Sequence, residues 1–269
     1  MYMKVTAKSS CLQRAVDFHV ILPVQDGYPA PPEPYRTLYF LPGYSASAEE
    51  IVFSLPLRQM ATLYGMAVVV PDGENSFYTD HPERASCHGQ YAGEELVRIT
   101  RRLFPCLSSE REETFLGGIS MGGYGALMLG LAYKETFSRV VMFSPAADPL
   151  ELLTSVPQDV PGALPPGLFG ALFGDPEAYA LNPRLNPGAL LTRIREQGES
   201  LPPMWMCCGE QDLLVGPSCL RLRNALTEAG AVLRWEAGPG GHDLIYWDAH
   251  LESSFRFLAG LPGESVSPA

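Results

Sequence analysis

The 269-residue sequence is short of positive charge, with 19 Lys and Arg residues against 30 Asp and Glu residues and a formal net charge of −11. Nucleic acids and anionic membrane surfaces are bound through clustered Lys and Arg side chains that offset phosphate charge. No apolar run approaches the roughly 20 residues that span a bilayer, and residues 1–6 lack the positive region and apolar core of a secretion signal. We therefore expect no nucleic-acid partner, no membrane partner and a cytoplasmic location.

The six cysteines form no C-x-x-C pair and no spacing typical of a disulfide framework. They are interpreted as reduced thiols. His81 and His88 have nearby acids, but their spacing is not that of a metal site. The sequence therefore predicts neither a metal site nor a cofactor.

What the sequence does contain is a repeated alternation of apolar strands and amphipathic helices. Strands are predicted at 14–23, 37–41, 66–72, 115–119, 138–144, 203–208 and 233–237. Helices are predicted at 49–64, 93–103, after residue 120, at 217–229 and at 244–258. Several of the strands are apolar throughout, as is typical of strands covered on both faces. The pattern predicts an α/β fold with a mainly parallel central sheet flanked by helices on both faces.

One segment interrupts this alternation. Residues 148–201 contain eight prolines and the apolar stretch 167–174. Because long insertions at the ligand-binding edge of such a sheet often cover the site, we interpret this segment as a short lid. A packing patch without substrate contact is the alternative interpretation. We expect residues 1–262 to form one domain, with 263–269 as a frayed tail.

The chemistry is indicated first by Gly118-Ile119-Ser120-Met121-Gly122, a G-x-S-x-G pattern between an apolar strand and a helical stretch. In a nucleophile elbow the strand turns sharply into the helix, and the two glycines lie where no side chain fits. The turn leaves the serine hydroxyl exposed at a helix N-terminus, where backbone N–H groups favour developing negative charge. Ser120 is therefore the candidate nucleophile.

Two further loops follow predicted strands. The strand at 37–41 ends at Gly43-Tyr44, which predicts the second backbone donor of an oxyanion hole, the N–H of Met121 being the first. The loop after residue 72 carries Phe77 and Tyr78 at the carboxyl edge, where ligands bind in open α/β sheets. We expect these two aromatic residues to line a substrate cleft.

A serine hydroxyl needs a general base, and the base needs an acid that holds its tautomer. In this type of fold the order along the chain is Ser, then Asp or Glu, then His, which leaves His242 and His250 as candidate bases. His242 follows a strand and a glycine-rich loop, whereas His250 lies in the last predicted helix. The acids at plausible loops are Asp148, Glu210, Asp212 and Asp243. We choose His242 and Asp212.

The motifs together resemble the esterase D and tributyrin-esterase group of α/β-hydrolases, and the resemblance covers nearly the whole chain. It rests on residues 41–44, 76–78, 94–96, 118–127, 208–212 and 241–247. The resemblance implies an α/β-hydrolase fold and carboxylesterase activity on short acyl esters. It also implies a Ser120, Asp212 and His242 triad, with an oxyanion hole formed by the N–H groups of Tyr44 and Met121. Many members of the group have histidine where this chain has Pro42.

We therefore expect a serine carboxylesterase that forms an acyl-Ser120 intermediate on a small-molecule ester and can assemble as a homo-oligomer. Alternatives are S-formylglutathione hydrolysis, feruloyl or acetyl-xylan deacylation, acyl transfer to an acceptor other than water, and a non-catalytic binding protein. Phe169 and Phe173 of the insertion are predicted to close the acyl site together with Phe77 and Tyr78. With such walls, kcat/KM should be highest for acetate to butyrate esters.

Overall fold

The computed structural model describes residues 1–25, 27, 29–165 and 167–262. The predicted tail, 263–269, lies outside the described residues. The centre of the molecule is an eight-stranded sheet. Its strands are β1 (Tyr2–Ser9), β2 (Arg14–Ile21), β3 (Arg36–Leu41), β4 (Met66–Pro71), β5 (Thr114–Ile119), β6 (Arg139–Phe143), β7 (Met204–Gly209) and β8 (Leu233–Gly238).

The strands follow the order β1-β2-β4-β3-β5-β6-β7-β8 across the sheet. Strand β2 is antiparallel to both β1 and β4, and the six strands β3 to β8 are parallel to one another. A mainly parallel sheet is therefore confirmed. The first strand was not predicted, although Lys4, Thr6 and Lys8 alternate with the less exposed Met3, Val5 and Ala7 as in a half-buried strand.

Ten helices of five or more residues pack around this sheet in the described part of the chain. They are α1 (Ala48–Ser54), α2 (Leu57–Tyr64), α3 (Leu96–Leu103), α4 (Met121–Ala132), α5 (Pro149–Thr154), α6 (Leu168–Phe173), α7 (Pro176–Ala180), α8 (Pro187–Gln197), α9 (Gly216–Glu228) and α10 (Leu244–Leu258). A short turn, His88–Gln90, and a π-helical segment, Tyr91–Glu95, lead directly into α3. No helix in the described residues is long and apolar enough to cross a membrane.

The two faces of the sheet carry separate apolar cores, because successive strand residues point to opposite sides. On one face Leu38 and Phe40 of β3 pack with residues of α1, α2 and α10. On the other face Tyr39 and Leu41 pack with residues of α3, α4, α9 and the insertion. Helices therefore cover both faces, as predicted, and every residue of β4, β5 and β7 is buried.

The predicted helix at 49–64 is divided into α1 and α2. Leu55 is extended, with φ −109° and ψ 146°, and Pro56 follows it. Proline disfavours the helical conformation of the residue before it and has no N–H to continue the helix, which explains the break. The insertion at 148–201 contains the four helices α5 to α8.

The parallel strands all end at one edge of the sheet, and the loops that follow β3, β5, β7 and β8 meet there. These loops carry Gly43 and Tyr44, Ser120, Asp212 and His242 respectively. Strand β5 lies between β3 and β6 near the middle of the sheet. The candidate nucleophile is therefore placed centrally, and the other candidate groups can approach it from both sides.

Candidate active site

Ser120 occupies a strained turn between β5 and α4. Its φ of 54° and ψ of −113° lie in a region that residues with a side chain rarely adopt. Its N–H donates to the Phe143 carbonyl at 2.9 Å, which ties the turn to the neighbouring strand β6. A Cβ at Gly118 would lie 2.8 Å from the Leu41 carbonyl oxygen, and one at Gly122 would overlap that same oxygen. The two glycines thus let the elbow pack against the end of β3.

His242 lies between the serine and an aspartate. Its Nε2 is 2.9 Å from Ser120 Oγ, and its Nδ1 is 2.7 Å from Asp212 Oδ2. With Nδ1 protonated and donating to the carboxylate, Nε2 carries the lone pair that faces the serine hydroxyl. This arrangement can draw the proton from Ser120 when the hydroxyl attacks a carbonyl carbon.

The Asp212 side chain is completely buried, and its oxygens are satisfied by neighbouring donors. Oδ1 accepts hydrogen bonds from the N–H groups of Leu214 at 3.0 Å and Val215 at 2.9 Å. Burial alone would raise the pKa of this carboxyl group. The hydrogen bond and charge of His242 and the two N–H donors outweigh burial, so the pKa lies below its ordinary value. Asp212 is therefore held as a carboxylate facing the imidazole.

The other candidate acids have different partners. Asp148 accepts the Glu151 N–H as the N-cap of α5, and Asp243 accepts the Tyr246 N–H as the N-cap of α10. Glu210 is exposed at the end of β7. Among the four acids that the sequence leaves open, the structure brings only Asp212 against His242.

Trp247 contacts His242, but the motifs did not predict this tryptophan as part of the site. Its ring meets the His242 ring edge to face, with centroids 5.1 Å apart. The indole N–H donates to Ser144 Oγ at 3.1 Å, which anchors the ring against the loop after β6. The tryptophan thus limits rotation of the imidazole away from Ser120.

The candidate oxyanion loop, residues 43–45, is held by the loop that follows β4. The Tyr78 hydroxyl donates to the Pro42 carbonyl at 3.0 Å, and the Ser45 N–H donates to Asn75 Oδ1 at 2.6 Å. Both supporting residues have positive φ, 53° for Tyr78 and 57° for Asn75. Since strained conformations persist only where the surroundings impose them, this pairing of loops indicates a defined position for the oxyanion donors.

Replacing Tyr78 with Phe is expected to lower kcat about tenfold while leaving KM nearly unchanged. The substitution keeps the buried ring but leaves the Pro42 carbonyl without its donor, so the oxyanion loop loses its support. Steady-state kinetics on a nitrophenyl ester measure the effect. Tyr124→Phe is the matched control, since the buried Tyr124 hydroxyl donates to the Leu185 carbonyl instead. Equal losses in the two variants would contradict a specific role for Tyr78.

A cavity of about 210 Å³ adjoins the nucleophile. The candidate oxyanion residues Gly43, Tyr44 and Met121 line it. Its other lining residues include Ser120, Phe77, His242, Trp247, Leu152, Gly162, Leu164 and Leu214. The insertion contributes Leu152, Gly162 and Leu164. These leucines were not predicted as site residues, because which insertion side chains face the cavity depends on how four short helices pack.

Phe169 and Phe173 were predicted to close the acyl site, but in the described part of the chain they lie behind this cavity and do not line it. Phe173 packs edge to face on Phe77, with centroids 5.4 Å apart, and Phe169 stacks on Phe173 at 5.2 Å. Both phenylalanines are buried. They support Phe77 from behind, while Tyr78 supports the oxyanion loop. Of the four predicted substrate contacts, only Phe77 lines the cavity.

Two of the remaining histidines are hydrogen-bonded away from the site. His19 Nδ1 pairs with the Tyr2 hydroxyl at 2.6 Å, and His250 Nδ1 with the Tyr246 carbonyl at 2.8 Å. Burial lowers the pKa of His88, which lies under the loop after β4. The described residues contain no group of three or more His, Cys, Asp or Glu side chains placed to hold a metal ion.

Sequence comparison identifies relatives with known names. Residues 9–258 match the model of the Esterase family. An acetyl esterase of Caldicellulosiruptor saccharolyticus is 32% identical over 228 residues, which cover 84% of each chain. An S-formylglutathione hydrolase of Paracoccus denitrificans is 30% identical over 135 residues, covering 42% of this chain and 47% of that protein.

Structure comparison identifies solved structures with the same fold as this chain. A fluorophosphonate-binding serine hydrolase of Staphylococcus aureus superposes with a TM-score of 0.82 at 23% identity, covering 96% of this chain and 98% of that one. The predicted α/β-hydrolase fold is thereby confirmed. The family match spans almost the whole described chain and includes every residue of the site. The chain therefore belongs to the Esterase family and is a carboxylic ester hydrolase.

Proposed function

We propose that this protein is a serine carboxylesterase for short acyl esters, with Ser120 as nucleophile, His242 as general base and acid, and Asp212 as the orienting carboxylate. The observation that carries the proposal is the continuous pair of contacts from Ser120 Oγ to His242 Nε2, 2.9 Å, and from His242 Nδ1 to Asp212 Oδ2, 2.7 Å. No cofactor enters the mechanism.

In the first half-reaction Ser120 Oγ attacks the ester carbonyl carbon while His242 Nε2 takes the hydroxyl proton. The carbonyl oxygen becomes an oxyanion, which the N–H groups of Tyr44 and Met121 would stabilise. Met121 is the first residue of α4, where backbone N–H groups have no intrahelical acceptor. The imidazolium then gives its proton to the leaving alcohol, and an acyl-Ser120 intermediate remains.

In the second half-reaction a water molecule takes the place of the alcohol. His242 accepts a proton from this water as it attacks the acyl carbon, and then returns the proton to Ser120 as the carboxylic acid leaves. Asp212 stays ionised throughout and stabilises the imidazolium that forms in each half-reaction. Its lowered pKa supports this role.

The size of the cavity supports a short acyl group. Its volume of about 210 Å³ lies below the roughly 300–1,000 Å³ that is usual for pockets holding drug-sized ligands. Leu152 and Leu164 are buried side chains of the insertion that close this space. In this proposal residues 148–201 act as a cover for the acyl site, which is the function expected of the predicted lid.

For the unmodified enzyme, kcat/KM is expected to be highest with acetate to butyrate esters and to fall for longer chains. Leu164→Ala should move this maximum to longer acyl groups, because each methylene newly accommodated gains up to about 0.8 kcal/mol from burial. A series of nitrophenyl esters from acetate to laurate measures the shift. Leu181→Ala is the matched control, since Leu181 is 83% exposed in the same insertion. An unmodified maximum at octanoate or beyond would contradict the proposal.

A second candidate activity is thioester cleavage. It is favoured by the similarity to the S-formylglutathione hydrolase of Paracoccus denitrificans. The same triad chemistry would cleave either bond, so the choice depends on the leaving group and not on the acyl pocket. Comparing kcat/KM for S-formylglutathione with that for acetyl esters decides between them, and the higher value identifies the preferred class.

The proposed cytoplasmic location is compatible with the state of the cysteines. All six are free thiols in the structure, and four of them are buried. Separating the cell fractions and measuring esterase activity in each would test the location.

A further inference from the structure

A second cavity lies beyond Phe77, whose ring packs edge to face on Tyr124 in the lining of this second cavity. Its volume is about 680 Å³, well within the range of small-molecule sites. Three parts of the chain surround it: residues 78–90, the second half of α4, and residues 182–193 of the insertion. None of the three triad residues lines it, so this side cavity is separate from the acyl site.

The charges around the side cavity differ from those of the whole molecule. Arg184 and Arg193 line it together with a single carboxylate, that of Asp80, whereas the whole chain has a net charge of −11. The Asp80 oxygens already accept three hydrogen bonds, from the Gly89 N–H, the Gln90 N–H and the Gln90 side-chain amide, at 2.8 to 3.2 Å. The cavity therefore presents a local excess of positive charge.

The Arg193 side chain has an N–H group without a hydrogen-bond acceptor. Its Nε is buried and has no hydrogen-bond partner among the described residues. A buried donor without an acceptor is destabilising, and more so where the group is charged. Neither Arg193 nor Arg184 forms an ion pair with another described side chain, although the charge of Arg193 also acts on the Glu199 carboxylate, which pairs with Lys134. A guanidinium with an N–H that lacks an acceptor is suited to a carboxylate or phosphate group, which it can bind through two parallel hydrogen bonds.

Part of the remaining wall is apolar. Met128 and Leu129 of α4 and Leu185 and Leu190 of the insertion line the cavity, together with polar side chains such as Thr79 and Asn182. An ion without carbon would leave this surface in contact with water, whereas an aryl or alkyl group would bury it. We infer that the side cavity is a binding site for a small amphipathic organic anion, with its carboxylate or phosphate on Arg193 and Arg184 and its apolar body between α4 and the insertion.

Isothermal titration calorimetry with phenylacetate and phenyl phosphate tests this site, with phenylacetamide as the neutral probe. The anions should bind the native enzyme and the amide should bind at least about tenfold more weakly, because it lacks the charge that pairs with the guanidinium. Whichever anion binds more tightly identifies the head group. Arg193→Met should weaken anion binding at least about tenfold while leaving ester hydrolysis unchanged.

Two further variants separate the site from a general effect on charge or folding. Arg195→Met removes an exposed arginine of the same helix that does not line the cavity, and it should bind the anions like the native enzyme. Ala132→Phe fills the cavity from an exposed position on α4 and should prevent binding. Absence of anion binding to the native enzyme, equal binding of the amide, or unchanged binding in both Arg193→Met and Ala132→Phe would overturn the inference.

Discussion

Replacement of Ser120 with Ala is expected to reduce kcat by four orders of magnitude or more while the protein stays folded. The variant retains the oxyanion donors and the substrate cavity, but no oxygen remains to form the acyl intermediate. Ser120 lies at a turn and its side chain fills little of the core, so the free energy of unfolding should change little. Initial rates on nitrophenyl acetate give the loss, and circular dichroism with thermal melting shows whether the fold is retained.

The matched control for this substitution is Ser138→Ala. Ser138 is buried and lies directly before β6, at the edge of the sheet opposite to the site. Its hydroxyl donates to the Glu112 and Thr114 carbonyls, so the variant tests the loss of a serine hydroxyl without touching the site. Turnover by Ser120→Ala that approaches the rate of the Ser138→Ala protein would exclude Ser120 as the nucleophile.

Asp212→Asn is expected to lower kcat by about 10⁴, with little change in the shape of the site. The amide is nearly the same size as the carboxylate and can still accept the Leu214 and Val215 N–H groups through its oxygen. Its NH₂ group would then face His242 Nδ1, which favours the tautomer with the proton on Nε2 and removes the base from Ser120. The loss of negative charge also removes the group that stabilises the imidazolium.

Asp243→Asn and Asp148→Asn are the comparison variants, and both should keep nearly normal turnover. Each of these aspartates is an N-cap, and asparagine is as good a cap as aspartate. Measuring kcat for all three variants on one ester assigns the acid. A large loss of kcat in Asp148→Asn with normal kcat in Asp212→Asn would place the catalytic acid after β6 and refute the proposed triad.

Much of the fold was predictable because it depends on local patterns. The continuous apolar strands and the amphipathic helices follow from periodicity, and α10 begins and ends where the sequence predicts. The break between α1 and α2 was missed, although Pro56 was a visible signal for it. Strand β1 was missed although its polar and apolar residues alternate, and its place in the sheet depends on pairing with β2 over all eight residues.

The site was predictable to a different degree at each residue. Ser120 lies between two glycines that pack so closely against the end of β3 that no side chain would fit. The motif was therefore recognisable, because it follows from local steric requirements. His242 was selected by order along the chain and Asp212 as the acid in the turn after the next strand, and the structure places His242 between Ser120 and Asp212. Their roles remain predictions until the variants are measured. The walls of the acyl cavity were not predictable, because no local pattern distinguishes Leu164 from Phe169.

The distribution of the site over four loops has a consequence for how the enzyme acquires activity during folding. Ser120 and His242 are 122 positions apart, and His242 lies beyond β8, the last strand of the sheet. Contacts between distant parts of a chain form slowly, because a long loop has to close before they are made. A folding intermediate that contains β3 to β7 would hold Ser120 and Asp212 but not His242. With the proposed triad, turnover would begin only when the end of the chain has docked, so molecules that lack this contact would not hydrolyse esters.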